Sequence, residues 1–312
     1  MLAVSMDHYG SPDVLQPVEV PKPSPAPTEV LVRVHAAGIN PADVKQRAGH
    51  GPLSTFPMIL GWDVAGVVAE VGFGVTIFSP GDEVYGMPWF PRQAGAYADY
   101  VTAPSRQFAP KPPSRSFAEA AALPLAGLTA WQLVTDTVHL DANQRLLIHG
   151  AAGHVGGLAV QIAKARGAHV IGVAEGSDRD RLEALGADEI VDYTTTRFED
   201  VVEPVDAVLD FVGHDYTARS VPLVHRDGVI VQVPSGSSSD DVRRGADAGV
   251  RVTSFLVEPD HAGLLALTDL AEHDQLSANV AAVVPLAEAA RAHELVESGK
   301  VKDKVILSST PA

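Results

Sequence analysis

Three glycines spaced three residues apart, Gly150, Gly153 and Gly156, carry the clearest chemical signal in the chain. An apolar run precedes them, and an amphipathic segment, 158–166, and a second apolar run, 169–174, follow. Gly150 permits a tight turn, Gly153 lets a pyrophosphate approach the main chain, and Gly156 lets a helix lie close to a strand. The N–H groups of the first helical turn then face an anion. This order predicts dinucleotide binding, with a tight βα turn of some other α/β protein as the alternative.

Strands and helices alternate on the far side of this turn. Apolar runs at 188–193, 206–212, 228–233 and 250–257 predict further strands, and alternation with helices implies a parallel sheet. The chain before about residue 110 has a different pattern of short alternating runs broken by Gly and Pro, which predicts a partly closed β-barrel.

Three further segments after residue 260 are predicted from their patterns. Helices are predicted at 262–274 and 285–299. A last strand, 304–307, is predicted to return to the first domain and make it discontinuous.

Bulk properties narrow the class of protein. The chain has 312 residues, enough for two domains, and no Cys, so it offers no disulfide, no thiolate nucleophile and no cysteine-built zinc site. The formal net charge of −16 argues against nucleic acid and against anionic membranes as partners. Neither a signal-peptide pattern nor an apolar run of about 20 residues is present, so we expect a cytoplasmic protein.

A series of short motifs accompanies the glycine turn in a fixed order. They are Gly38-Ile39-Asn40-Pro41-Ala42-Asp43, Gly61-Trp62-Asp63-Val64-Ala65-Gly66, Pro80-Gly81-Asp82-Glu83-Val84, Gly95-Ala96-Tyr97-Ala98-Asp99-Tyr100, Leu123-Pro124-Leu125-Ala126-Gly127-Leu128-Thr129-Ala130 and Leu185-Gly186-Ala187-Asp188. Singly each is weak, but in this order the chain resembles the medium-chain dehydrogenase/reductase superfamily and its zinc-independent quinone oxidoreductase branch. The resemblance covers residues 1 to about 309.

The resemblance implies an α/β fold in two domains. Residues 1–124 and 260–312 would form a GroES-like catalytic domain around the partly closed barrel. Residues 125–259 would form a Rossmann domain, a doubly wound parallel sheet. A homodimer is also implied, in which the strand at 250–257 pairs with its copy across a twofold axis; an edge covered by a loop is the alternative.

The resembled branch moves hydride from a nicotinamide cofactor to a quinone or to an activated C=C bond of an enone. By this resemblance the cofactor-binding residues are Asn40, Thr129, Gly150, Gly153, His154, Val155, Gly156, Ala174, Phe211, Val233, Pro234, Ser235, Phe255 and Val257, joined by the ribose and phosphate residues discussed below. Asn40 and Thr129 would contact the nicotinamide end, and Phe255 and Val257 would line its floor. The alternatives are a loop role for Asn40, bonding its own backbone, and core packing for Phe255.

No strong acid or base is evident near these motifs. The family often has a tyrosine just after the Asn-Pro-x-Asp motif, where this chain has Val44-Lys45-Gln46-Arg47. Asn40, Lys45 and His50 are the catalytic candidates, because Lys45 or His50 could polarise an acceptor oxygen. Either could equally be a solvated surface group. A quinone or enone accepts hydride without a strong acid, since the developing charge delocalises and water can supply the proton.

The zinc members of the superfamily have a Cys at or near the position of Asn40 and Gly-His-Glu in place of Gly61-Trp62-Asp63. A catalytic zinc site needs about three protein ligands. Since these ligands are replaced here, we predict no metal.

Glu175 occupies the tip of the second strand, about 20 residues beyond the glycines, where the adenosine ribose is read. A carboxylate there binds a free 2′-hydroxyl and repels a 2′-phosphate, so NAD(H) stays possible. Cationic and hydroxyl residues that suit a phosphate stand against it: Ser177, Arg179, Arg181, Tyr193 and Lys302. The resembled branch mostly uses NADP, and two nearby arginines could neutralise Glu175. We therefore favour NADP(H).

Three functions remain in competition. The first is an NADP(H)-dependent quinone or enone reductase acting on a small molecule. The second is a non-catalytic, redox-sensing or structural protein that binds the same cofactor. The third is an enoyl reductase for carrier-bound substrates, against which the acidic surface argues.

Overall fold

The computed structural model describes residues 1–233 and 237–309. The chain divides into two compact units, Met1–Leu128 with Glu258–Ala312, and Thr129–Val257. The assignment of catalysis to the first unit and cofactor binding to the second stays a prediction.

The strands are β1 Leu2–Met6, β2 Gln16–Glu19, β3 Glu29–Gly38, β4 Met58–Ile59, β5 Asp63–Val71, β6 Glu83–Gly86, β7 Tyr100–Pro104, β8 Phe108–Pro110, β9 Arg145–His149, β10 His169–Ala174, β11 Glu189–Asp192, β12 Val205–Asp210, β13 Val224–Gln232, β14 Arg251–Ser254, β15 Val280–Pro285 and β16 Lys304–Ser308. The α-helices are α1 Pro41–Arg47, α2 Phe117–Ala121, α3 Pro124–Gln132, α4 His154–Ala165, α5 Arg179–Ala184, α6 Tyr216–Ser220, α7 Ser239–Ala248, α8 His261–Glu272 and α9 Ala289–Glu297.

Two sheets build the first unit. Among the described residues, one sheet has the order β2-β1-β4 and the other the order β15-β16-β3-β5-β6-β8, with β7 also paired to β3. All pairings are antiparallel except that of β15 with β16. Alternating apolar side chains such as Val30, Val32 and Val34 enter a core that both sheets share with α9. Because β16 pairs with β3, the C-terminal segment is part of the first unit's sheet.

One parallel sheet builds the second unit. Within the described residues its order is β11-β10-β9-β12-β13-β14. The order reverses between β9 and β12, which creates a switch point where nucleotides bind in open α/β sheets. Helix α4 packs against β9 and β10. A cluster of buried apolar side chains that includes Leu147, Ile171 and Val208 forms a hydrophobic core of this unit. The predicted α/β fold class is confirmed.

Two predicted strands have different bounds in the structure. The sequence of residues 97–101 predicts a strand. In the structure β7 begins at Tyr100, because Tyr97 and Asp99 form main-chain hydrogen bonds with β1 and Leu60 instead. The predicted strand 250–257 ends at Ser254, and the chain passes from the second unit to the first after Val257.

Within the part of the chain that the structure describes, every helix is too short or too polar to cross a membrane.

Candidate active site

The glycine turn joins β9 to α4. Gly150 has φ of 73°, a left-handed conformation that glycine adopts without steric cost. A Cβ on Gly156 would lie 2.4 Å from the carbonyl oxygen of Gly150, so only glycine allows the helix to lie this close to the strand. Gly153 is exposed and is the N-cap of α4, where no side chain caps the helix. The start of this 12-residue helix is therefore open to an anion.

The other predicted cofactor residues of the second unit lie at one edge of the sheet. Parallel strands present their carboxyl ends at the same edge, and these residues end or directly follow successive strands. They are Gly150 after β9, Ala174 and Glu175 at β10, Tyr193 after β11, Phe211 after β12 and Val233 after β13. His154 and Val155, both half-buried, are the first two residues of α4. The fold therefore brings together residues that lie far apart in the sequence.

Glu175 is exposed and has two hydroxyl partners. The Tyr193 hydroxyl donates to Glu175 Oε1 at 3.0 Å, and the Ser177 hydroxyl donates to Oε2 at 3.4 Å. The hydrogen bond to Glu175 raises the pKa of Tyr193. Arg179, one of the two arginines that could neutralise Glu175, lies on α5 and pairs with Glu183, one helical turn on, at 3.7 Å. The Glu175 carboxylate accepts hydrogen bonds from two hydroxyl groups.

Four further predicted residues are placed as follows. Phe255 is half-buried after β14, and Val257 is buried. Thr129 is buried in α3, and Lys302 is exposed before β16. Pro234 and Ser235 lie outside the described residues.

Asn40 lies in the first unit within a buried group of charges. Its Oδ1 accepts a hydrogen bond from Lys304 Nζ at 2.5 Å, and its Nδ2 donates to Asp63 Oδ2 at 2.8 Å. Lys304 Nζ also donates to Asp63 Oδ2 at 2.7 Å. Asn40 is 2% exposed, Lys304 is 4% exposed and Asp63 is 0% exposed. Asn40 therefore bonds to two charged side chains rather than only to its own loop.

A second buried chain of polar groups adjoins Asn40. Asp43 accepts from the main-chain N–H of Asn40 and of Gly61, and its burial raises its pKa to about 7. Tyr97 hydrogen-bonds to Asp43 and, at 3.1 Å, to Nε2 of His293. Burial raises the pKa of Tyr97 well above its usual value, so its proton stays bound at neutral pH.

Lys45 and His50 are exposed, at the end of α1 and beyond it. Neither joins the described bonds around Asn40, which fits the reading of both as solvated surface groups. Their catalytic role stays a prediction that nothing in this geometry supports.

The residues at the position of the zinc ligands do not suit a metal ion. Trp62 donates its indole N–H to the carbonyl of Arg92, and the Asn40 oxygen already faces the Lys304 ammonium. That ammonium would repel a divalent cation. Among the described residues, His, Asp and Glu side chains form no group of three that could hold a metal.

Sequence reasoning missed the roles of Lys304, Asp63 and Tyr97. The available signal was the placement of opposite charges at the starts of two apolar segments, Asp63-Val64-Ala65 and Lys304-Val305-Ile306-Leu307. Buried charges need partners, so each predicts a counter-charge nearby. The sequence alone does not say that they pair with each other.

The fold and the glycine turn together define a Rossmann-fold protein with a second, largely antiparallel unit. Residues 26–113 match the profile described as an alcohol dehydrogenase GroES-like domain, and residues 185–307 match the profile described as a zinc-binding dehydrogenase. Quinone oxidoreductase 1 of Escherichia coli (strain K12) is 33% identical over 97% of this chain and 98% of its own length. The chain belongs to the medium-chain dehydrogenase/reductase superfamily, in its quinone oxidoreductase branch.

Other curated relatives match over part of their length. The mitochondrial NAD(P)H oxidoreductase RTN4IP1 of Bos taurus is 38% identical over 68% of this chain. The chain covers 52% to 64% of the length of the RTN4IP1 proteins that it matches in cattle, mouse, human and zebrafish. The chloroplastic NADPH-dependent alkenal/one oxidoreductase of Arabidopsis thaliana is 37% identical over 72% of this chain and 60% of its own length.

Solved structures match nearly the whole chain. The quinone oxidoreductase of Coxiella burnetii has a TM-score of 0.92 at 35% identity and covers 99% of both chains. A structure described as an NAD-dependent alcohol dehydrogenase has a TM-score of 0.88 at 34% identity, over 99% of this chain and all of that one. The Escherichia coli quinone oxidoreductase complexed with NADPH has a TM-score of 0.87 at 29% identity, over the same shares.

His149 gives the second unit a pH-dependent stability. It is fully buried against Phe198 and Tyr216, and Nε2 bonds to Ser220 Oγ at 2.8 Å. Since the Ser220 hydroxyl donates to a carbonyl, it accepts from Nε2–H, and Nδ1 has no described partner. Burial, with a smaller effect of Arg219, lowers the pKa of His149 to about 3.

We predict that His149→Gln shrinks the pH dependence of unfolding. The unfolded imidazole binds a proton near pH 6.5 and the folded one near pH 3, so its stabilising contribution is complete above pH 6.5 and is lost as pH falls. The stability difference between wild type and variant should fall by about 1.4 kcal/mol per pH unit below pH 6.5. Urea unfolding between pH 7.5 and pH 5.5 measures it.

The exposed His225 supplies the control. His225→Gln should leave the difference from wild type constant over the same pH range, because this side chain remains in contact with water in the folded protein. A constant difference for His149→Gln as well would show that folding does not lower the pKa of the buried imidazole.

Proposed function

We propose that this chain is an NADPH-dependent reductase of quinones or of C=C bonds conjugated to a carbonyl. The observation that carries the proposal is the uncapped start of α4 behind Gly153, at the switch point of the parallel sheet, in a chain of the quinone oxidoreductase branch. Relatives whose names specify quinones, alkenals or NADPH support the substrate and cofactor classes.

The cofactor would supply the hydride, and the residues of this chain bind and orient the cofactor and the acceptor. The main chain at Gly153 and the first turn of α4 bind the diphosphate. Ser177 and Tyr193 donate at the ribose end. Asn40 supplies a side-chain amide as a hydrogen-bond donor in the first unit. No described acid needs to deliver the proton, because a delocalised oxyanion can take it from water.

NADPH is the proposed donor, although Glu175 opposes a 2′-phosphate by like charge. Tyr193 and Ser177, which now donate to Glu175, can donate to a phosphate when the flexible glutamate turns away. The relatives whose printed names or descriptions specify NADPH support this choice. The glutamate itself favours NADH, the second candidate. The cytoplasmic location and the absence of a metal stay predictions.

Turnover separates the enzyme from a non-catalytic cofactor-binding protein. NADPH oxidation with a panel of quinones and small enones should show saturable turnover. Tight NADPH binding without turnover on any acceptor would favour the sensing or structural role. Turnover restricted to carrier-bound enoyl substrates would favour the third function.

We also propose a homodimer formed through β14. Among the described strands of the parallel sheet, β14 lies at an edge, and an edge strand offers unpaired N–H and C=O groups to a copy of itself. The exposed Leu256 follows it and adds apolar surface. Light scattering should give a mass of two chains; a mass of one chain would contradict the dimer.

Replacing Gly153 with Asp should weaken cofactor binding strongly while preserving the fold. Asp is a favoured N-cap, so its carboxylate would accept hydrogen bonds from the same first-turn amides that the diphosphate needs. We expect NADPH affinity to fall on the order of 100-fold, with stability unchanged or raised by about 0.5–1 kcal/mol. Fluorescence titration and thermal unfolding measure the two effects.

Gly153→Ala is the matched control. The nearest heavy atom to a Cβ at this position is the Gly150 carbonyl oxygen, 3.3 Å away, so a methyl group requires only a small adjustment. The methyl group restricts the approach of the diphosphate but does not compete for the first-turn amides, so affinity should fall by less than in Gly153→Asp. Unchanged affinity in Gly153→Asp would rule out this helix start as the diphosphate site.

Glu175→Ser should shift cofactor preference towards NADPH. Removing the carboxylate removes repulsion of the 2′-phosphate and frees the Tyr193 hydroxyl. We expect KM for NADPH to fall about tenfold and KM for NADH to rise, since the ribose hydroxyl loses its acceptor. Steady-state kinetics with both cofactors check this. Glu203→Ser, at an exposed glutamate of the same unit, should leave the preference unchanged.

A further inference from the structure

Lys304 reaches Asp63 by crossing over a glycine. Strand β3 lies between β16 and β5, with Gly38 opposite Ile306 on one side and Asp63 on the other. A Cβ on Gly38 would lie 2.7 Å from Lys304 Cε and 2.9 Å from Asp63 Oδ2. The missing side chain therefore leaves the space through which the lysine stem passes.

The three buried side chains form a closed triangle of hydrogen bonds. Asp63 Oδ2 accepts from both Lys304 Nζ and Asn40 Nδ2, and its other oxygen accepts from the main-chain N–H of Leu125 at 2.7 Å. The Asn40 oxygen accepts from Lys304. Since all three are at least nine-tenths buried, water does not screen these contacts.

The charges decide which way the Asn40 amide faces. A carboxamide normally has two similar orientations, exchanged by a flip of its oxygen and nitrogen. Here a flip would turn the NH₂ group towards an ammonium and the oxygen towards a carboxylate, and both contacts would become repulsive. With one N–H bound to Asp63, the remaining group that Asn40 can offer is the second N–H, a donor.

We propose that the Lys304–Asp63 pair is a positioning device that locks the Asn40 amide so that it presents an N–H donor to the carbonyl oxygen of the acceptor. The inference rests on the proposed reductase function. Hydride adds to the β-carbon of an enone while the nicotinamide is oxidised, and the C=C electron pair moves to place negative charge on the carbonyl oxygen. A donor aimed at that oxygen stabilises the enolate, and water then protonates the α-carbon.

Lys304 and Asp63 act through Asn40, and Asn40 is the residue that would touch the acceptor.

The test compares Lys304→Met with the double variant Lys304→Met/Asp63→Asn. The single variant leaves Asp63 buried without its cation and is expected to lose stability. The double variant is neutral and retains an oxygen for the Leu125 N–H, so it should unfold near the wild-type midpoint. We expect its kcat for enones to stay about 100-fold below wild type, with NADPH affinity within about threefold. Lys300→Met, at an exposed lysine, is the control and should match wild type.

A second readout does not depend on turnover. Exchange of the Asn40 side-chain amide protons, followed by nitrogen-15 NMR, should be slow in wild type and at least tenfold faster in the double variant. A wild-type kcat in the double variant, or equal exchange rates in the two proteins, would contradict the proposal that the pair fixes the Asn40 amide. If wild type reduces no acceptor, the reductase proposal fails, while the exchange rates still decide whether the pair orients Asn40.

Discussion

Both units depend on glycines, because a residue without a Cβ lets a charged or dipolar group lie close to the main chain. In the second unit, Gly156 lets α4 rest against the turn after β9, and the exposed Gly153 leaves the helix start open. In the first unit, Gly38 lets a lysine cross a strand to reach Asp63. A methyl group at Gly38 or Gly156 would stand within 2.5 Å of a main-chain carbonyl oxygen. A main-chain carbonyl cannot move aside as a flexible side chain can. Glycine at positions 38 and 156 is therefore required for the two sites to form.

The two sites use electrostatics differently. The helix start of α4 attracts an anion through main-chain dipoles at a surface that solvent reaches, so its attraction depends on the ligand's charge. The Lys304–Asp63 pair is buried away from water. It contributes by fixing the orientation of the Asn40 amide rather than by stabilising the fold, because the cost of desolvation offsets much of the attraction between the charges. Removing one partner of such a pair costs more than replacing both.

Buried titratable groups surround the first-unit site without forming an obvious acid. Asp43 has a pKa raised to about 7 by burial, and Tyr97 keeps its proton because of burial and neighbouring carboxylates. His293, next to Tyr97, has a pKa lowered to about 3 by burial and by Arg47. These groups hold α1, the 58–62 segment and α9 together through hydrogen bonds.

The sequence by itself determined the class of fold, the glycine turn and the family, because these depend on local periodicity, on residues that lack a Cβ and on the order of motifs. It also determined that Glu175 directly follows β10. Only the tertiary structure decided that Tyr193 hydrogen-bonds to Glu175, that Lys45 and His50 are exposed, and that Lys304 meets Asp63 and Asn40. Lys304 and Asp63 are 241 positions apart, and no local pattern encodes which of many charges will share a buried space. That choice depends on strand register, which sets side chains from β16, β3 and β5 next to one another.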